Sequence, residues 1–202
     1  MNVLLKVLVP QLARPHGVLA RLIAPMLDRG NHVINLHTVA ALDLRPRERV
    51  LEIGFGGGVG LSLALAHEPT VGLTGIDPSP EMVSRCAKRF AGQLSVSLGT
   101  ADAIPAAAAA FDKVFGVNVA YFWPDLPKAL SEILRVLVPG GKLVLGVRPK
   151  EALQRLGFGG AGHRVWSAEQ YVDALTSAGF VDVQARRVPD PNGASLVSGR
   201  RA

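Results

Sequence analysis

Arg49-Val50-Leu51-Glu52-Ile53-Gly54-Phe55-Gly56-Gly57-Gly58, running into Val59-Gly60-Leu61-Ser62-Leu63-Ala64-Leu65, sets Glu-x-Gly-x-Gly-x-Gly between a strand-like apolar run and a helical one. A strand that buries Val50, Leu51 and Ile53 and turns through glycines into a helix brings bare backbone close to a ligand. The dinucleotide fingerprint Gly-x-Gly-x-x-Gly fails here, because counting from Gly54 and Gly56 its third glycine falls on Val59. A pyrophosphate wants amide donors at a helix N-terminus, and Glu52 at the strand end would repel it. The same carboxylate suits a cationic ligand, an amine or a sulfonium. A plain tight turn is the competing reading, and four ordered features in one turn weigh against it.

Outward from this turn the pattern alternates. Strands are expected near 49–53, 71–76, 94–99, 112–118 and 141–147, and helices near 59–67, 80–90 and 125–137. Such alternation predicts right-handed crossovers and a doubly wound, Rossmann-like parallel sheet with helices on both faces, in an α/β domain. A helix near 167–178 ends at Gly179, and the runs Phe180 to Ala185 and Ala194 to Val197 flank the turn-rich Pro189-Asp190-Pro191-Asn192-Gly193. They read as a hairpin that adds an antiparallel strand at the end of the sheet. From His16 to about Asp43, apolar residues at helical spacing predict two helices broken near Gly30. The division expected is an N-terminal helical lid or substrate cap over 1–45 and a cofactor-binding domain over 46–202.

With 202 residues the chain holds one α/β domain plus an appendage. Cys86 is its single cysteine, which excludes an intrachain disulfide and favours a reducing, cytoplasmic setting; in a helix it reads as packing. The net charge of +6 is scattered, and no aromatic residues interleave with the basic ones to stack on bases, so nucleic acid is not expected as a partner. Lys6 and Pro10 interrupt the apolar N-terminus, so no transmembrane segment is expected; peripheral membrane contact stays open. The sequence does not set an oligomeric state.

In an open parallel sheet the ligand lies beyond the carboxyl ends of the strands where the strand order reverses. Four predicted ends carry suitable groups. The first is the glycine turn with Glu52, Gly54, Phe55 and Gly56. Asp77 closes the second strand 19 residues past Gly58, near the distance at which an acid accepts from ribose hydroxyls. Its alternative role is an Asp-Pro turn, although Ser79 before Pro80 can cap that helix itself. At the third, Asp102 can accept an exocyclic amine while a backbone amide nearby meets a ring nitrogen. At the fourth, Asn118 either faces the amino-acid part of the ligand or serves turn chemistry.

These residues resemble the class I S-adenosylmethionine-dependent methyltransferases, in particular the group with the ubiquinone and menaquinone biosynthetic C-methyltransferases. The likeness rests on Val50 to Gly58, on Gly75-Ile76-Asp77-Pro78-Ser79, on Asp102 with Ile104-Pro105 before Phe111-Asp112, and on Glu132 and Arg135-Val136-Leu137 before Pro139-Gly140-Gly141-Lys142-Leu143. It implies a seven-stranded sheet with one antiparallel strand and S-adenosylmethionine as cofactor. Gly54 and Gly56 would line its methionine part, Asp77 would hold the ribose, and Asp102 with Ala103 would meet the adenine, whose faces Pro78 and Met82 would cover. Glu132 and Arg135 would be structural, docking their helix beside the Pro139-Gly140-Gly141 turn. Where the family usually has polar or acidic residues this chain has Ala106 to Ala110, which implies a looser adenine rim.

Methyl transfer from a sulfonium is an in-line displacement with a neutral leaving group, so aligning the acceptor and excluding water are the main tasks. A base is optional. The candidates for one are His163, in the glycine-rich run 157–163, His37 and Tyr121. Tyr121 and Trp123 follow the fourth strand end and are expected to wall the acceptor site together with His16 and His163. The apolar stripe of 16–43 predicts a small, hydrophobic substrate. The rivals are a nicotinamide oxidoreductase, a nucleic-acid methylase and a noncatalytic member of the fold. The first lacks the fingerprint glycine and a Tyr-x-x-x-Lys pair, Leu175 standing four residues after Tyr171; the second lacks an Asn-Pro-Pro-Tyr clamp, Asn118 being followed by Val119-Ala120-Tyr121.

Overall fold

A computed structural model describes residues 31–155, 164–190 and 193–202. Within them seven strands form one sheet: β1 (Arg49–Ile53), β2 (Gly72–Asp77), β3 (Ser95–Leu98), β4 (Phe111–Val117), β5 (Leu137–Val147), β6 (Phe180–Arg187) and β7 (Ser195–Arg201). The helices are α1 over 31–42, α2 (Val59–His67), α3 (Pro80–Arg89), α4 (Leu126–Val136), α5 (Lys150–Arg155) and α6 (Ala168–Ala178). The strand order is β3-β2-β1-β4-β5-β7-β6. The first five strands pair in parallel, so the order reverses between β1 and β4 and opens the expected crevice there.

Strand alternation sorts the core into two layers. Leu51, Ile53, Val114, Leu143, Leu145 and Val197 point to the side packed by α4 and α6. Val50, Phe115, Val144 and Leu196 point to the side packed by α1, α2 and α3. Burying a side chain of this size stabilises by about 1.5–3 kcal/mol, so the layers rather than any polar pair hold the sheet between its helices. On α4 the buried residues Leu126, Ala129, Leu130, Ile133 and Val136 recur at helical spacing. Its start is fixed by Asp125, whose side chain accepts from the Lys128 amide. Ser79 caps α3 by accepting from the Met82 amide, with Pro80 in the first turn. Ser167 and Gln170 form a reciprocal capping box on α6, which stops at Gly179 with φ 101.

Two departures from the sequence reading have physical causes. The hairpin of β6 and β7 does not place its antiparallel strand at the edge: β7 inserts between β5 and β6 and is antiparallel to both. The inner position goes to the more apolar strand, since Leu196 and Val197 are buried whereas Gln184 to Arg187 are exposed. Strand β5 also begins earlier than expected, at Leu137, because Leu137 already pairs with Phe111 before the Pro139-Gly140-Gly141 segment, with Gly140 at φ 76, bulges out and pairing resumes at Lys142 opposite Lys113. Of the two helices expected over 16–43, the second is α1; the first lies outside the described residues.

Candidate functional site

The glycine turn leaves β1 with Gly54 at φ 71, its amide donating to the Ile76 carbonyl at 2.7 Å. A Cβ at Gly54 would stand 2.6 Å from Cγ1 of Val119, so position 54 has no room for a side chain and Val119 walls it. Glu52 lies beneath the first turn of α2 and is 2% exposed. Gly60 makes room for it: a Cβ there would sit 2.2 Å from Oε1. Burial, then the charge of Asp77, push the Glu52 carboxyl well above the usual range, with the Leu61 amide partly offsetting them. Its Oε2 is buried and has no hydrogen-bond partner.

Asp77 stands across the crevice mouth, buried at 6% exposure. Its Oδ2 accepts from the Gly56 amide at 2.9 Å and its Oδ1 from the Ser79 amide at 2.9 Å. Burial raises its pKa and the two amides pull it back. Of the two roles foreseen for Asp77, these bonds are those of the turn: the side chain shapes the Asp-Pro turn and also ties that turn to the glycine loop. Cys86, packed in α3, reaches the Gly56 carbonyl with its thiol at 3.6 Å; burial raises that thiol to about 11, which keeps it protonated and inert.

At the end of β4, Asn118 adopts φ 55 and donates its amide to the Gly146 carbonyl. Its Nδ2 donates to Oδ1 of Asn31 at 2.9 Å, and Arg148 donates to that same oxygen at 2.8 Å. The Oδ1 of Asn118 is buried without a partner. Asn31 and Arg148 were not singled out from the sequence. The signal for Arg148 was its place just beyond β5; nothing local marked Asn31, whose role arises from α1 crossing two strand ends.

Asp102 is half-buried beside the exposed Ala103, whose amide donates to the Thr100 carbonyl at 3.2 Å. Pro78 is exposed, whereas Met82 is 3% exposed within the α2–α3 layer, as is Phe55 at 4%; Phe55 therefore lends the turn its backbone rather than its ring. Arg135 pairs with Glu132 at 2.7 Å and donates to the carbonyls of Ala106 and Ile104, while the Ile104 amide donates to Glu132. The pair thus clamps the alanine-rich rim itself, rather than the Pro139-Gly140-Gly141 turn, and backbone bonds take the place of polar rim side chains.

Tyr121 sits in a single 3-10 turn, Ala120–Phe122, packed with Leu153 of α5. Burial holds its hydroxyl far above its ordinary pKa, which disfavours Tyr121 as a proton acceptor. Trp123 is half-buried against the α4–α6 layer. His37 is half-buried on α1, and among the described residues no hydrogen bond joins it to the strand-end groups. His16 and His163 lie outside the described residues.

A buried carboxyl with one free oxygen, a second carboxylate beside it, an orphaned amide oxygen and a turn of bare backbone suit a cationic ligand with an amino-acid portion. S-adenosylmethionine is such a molecule. A family model described as a methyltransferase domain matches residues 51–145. An uncharacterized methyltransferase, YdaC of Bacillus subtilis, is 34% identical over 123 residues, 60% of this chain and 68% of that protein. The ubiquinone/menaquinone biosynthesis C-methyltransferase of Geotalea daltonii is 33% identical over 141 residues, 61% of this chain and 58% of that one. Among solved structures, phosphoethanolamine N-methyltransferase 2 of Haemonchus contortus in complex with S-adenosyl-L-methionine shares the fold with a TM-score of 0.70 at 17% identity, covering 83% of this chain and 52% of that one. The reversed strand order, the glycine turn after β1 and these matches together make this chain a member of the S-adenosylmethionine-dependent methyltransferases of the class I fold.

Proposed function

We propose that the chain transfers a methyl group from S-adenosylmethionine to a small, hydrophobic acceptor. The observation that carries this reading is the unpartnered Oε2 of Glu52, buried next to Asp77 under the glycine turn. When bound, the cofactor supplies the activated methyl group and departs neutral. The chain's own tasks are to hold it and to seat the acceptor. Glu52 offers negative charge to a cation, Gly54 and Gly56 give way to its methionine part, and Asn118 offers Oδ1 to an ammonium. Asp77 can trade the Gly56 amide for ribose hydroxyls. Asp102 and Ala103 stand at the adenine end with Pro78 outside; the Ala103 amide must leave Thr100 to serve a ring nitrogen.

Tyr121 and Trp123 bring aromatic surface to the fourth strand end, where the acceptor would meet the methyl group. The residues over 1–45 form the acceptor's lid in this reading; support comes from α1, which Asn31 fastens to the ends of β4 and β5. A cytoplasmic setting agrees with the lone, buried thiol of Cys86. No helix among the described residues is long and apolar enough to cross a membrane. The test is a screen of apolar phenols, quinols and fatty acids against polar amines, read out as S-adenosylhomocysteine formed. Turnover confined to apolar acceptors is expected; turnover only on polar amines would overturn the acceptor class.

A further inference from the structure

Beyond α1, on the sheet face that helix covers, β5, β7 and β6 leave a cavity of about 150 Å³. Val144 and Leu196 line its apolar part, and Lys142, Gln184, Arg186 and Ser198 bring polar groups to it; none of the lining side chains is acidic. The register explains their convergence. Val144 pairs with Ser198 and Ser198 with Gln184, while Leu196 pairs with Arg186 and Lys142 with Arg200, so these positions share one face.

Lys142 donates to the Ala41 carbonyl in the last turn of α1 at 2.6 Å, which leaves two of its three donors. Burial, then the charges of Arg200 and Lys113, hold its ammonium below the usual lysine range; Arg186 adds to this, and Asp43 only partly offsets it. Of the nearby acids, Glu48 pairs with Lys113, while Asp43 is exposed, lies 3.8 Å from Arg45 and reaches Lys142 only through its charge. None of the ion pairs among the described residues includes Lys142 or Arg186. A concave site where cations outnumber the acids near them and meet an amide and a hydroxyl is complementary to an anion with several acceptor oxygens.

We propose that this cavity binds a small tetrahedral oxyanion, a phosphate or phosphomonoester, between Arg186 and Lys142, with Ser198 and Gln184 completing its hydrogen bonds. The site is separate from the cofactor crevice. Lys142 precedes the carboxyl end of β5 at Val147 by five residues, about 17 Å along the strand. Anion binding there does not depend on methyl transfer at the crevice.

The test is calorimetric titration of the full chain with inorganic phosphate and with glycerol phosphate, at constant ionic strength, with and without saturating S-adenosylhomocysteine. One-site binding is expected, unchanged by S-adenosylhomocysteine and weakened roughly tenfold or more by Arg186→Gln, the scale of a charge-assisted hydrogen bond. Arg186 lies exposed on the edge strand, so this variant keeps the fold; Lys142→Met, which also uncaps α1, is the second probe. Tighter binding of the ester would assign the phosphate to a larger ligand, and equal binding to the free ion; both support the site. Absence of saturable binding, an unchanged affinity in Arg186→Gln, or competition with S-adenosylhomocysteine would overturn it.

Discussion

Glu52 concentrates the chemistry of the site at one carboxyl. Because burial and then Asp77 raise its folded pKa above the ordinary value near 4.5, the fold favours its protonated form. That contribution to folding stability is full below the ordinary value and is lost as pH rises through the raised one. Binding has the opposite sign: a cationic cofactor favours the ionised carboxyl, so cofactor affinity should rise with pH across the same window and binding should release a proton. Titration in buffers of different ionisation enthalpy counts that proton, and Glu52→Gln should abolish its release; an equal count in both proteins would remove Glu52 from the cation site. Asp77 gives a second prediction. Asp77→Ala loses two amide bonds and the ribose acceptor, and cofactor affinity should fall by ~1–3 kcal/mol. An unchanged affinity, measured by calorimetry, would exclude it.

At the scale of elements, α1 rests directly on β5 because Gly146 has no side chain: a Cβ there would stand 2.5 Å from Oγ1 of Thr38 and 3.1 Å from Ile34. Gly146→Val should lift α1 and lower stability by about 1–3 kcal/mol in urea unfolding, the cost of overpacking. Gly116→Val should cost a similar amount, with a Cβ meeting Val119 and the Ile53 carbonyl. The elements that were legible in the sequence are those with a strong local signal. Ser79-Pro80 fixed the start of α3, short apolar runs revealed β1 and β4, and the glycine turn located the crevice. What local reading missed depends on contacts distant in sequence. Asn31 meets Asn118 and Arg148 only because α1 crosses two strand ends, and β7 takes an inner position because its apolar residues outcompete those of β6. Arg135 was readable as structural, but its real task, holding the carbonyls of Ile104 and Ala106, shows only when the loop folds over α4.

Across the whole molecule, the two apolar layers fix the sheet and leave the two sites proposed here at different places on it: a cation-seeking crevice at the strand ends and an anion-seeking cavity lower on the α1 face. The net charge of +6 did not predict either, since only the folded register gathers Lys142, Arg186 and Arg200 on one face. Removing residues 1–30 should weaken capture of an apolar acceptor far more than cofactor binding, compared as KM against calorimetric Kd; equal losses would make that segment purely structural. The central claim is that a buried acid and a bare turn of backbone hold S-adenosylmethionine at the β1–β4 crevice. Its most direct test is calorimetric titration of wild type and Glu52→Gln with S-adenosylmethionine and with reduced nicotinamide dinucleotides. Saturable binding of S-adenosylmethionine alone, weakened in the variant, is the predicted result; binding of the dinucleotides alone would contradict the account.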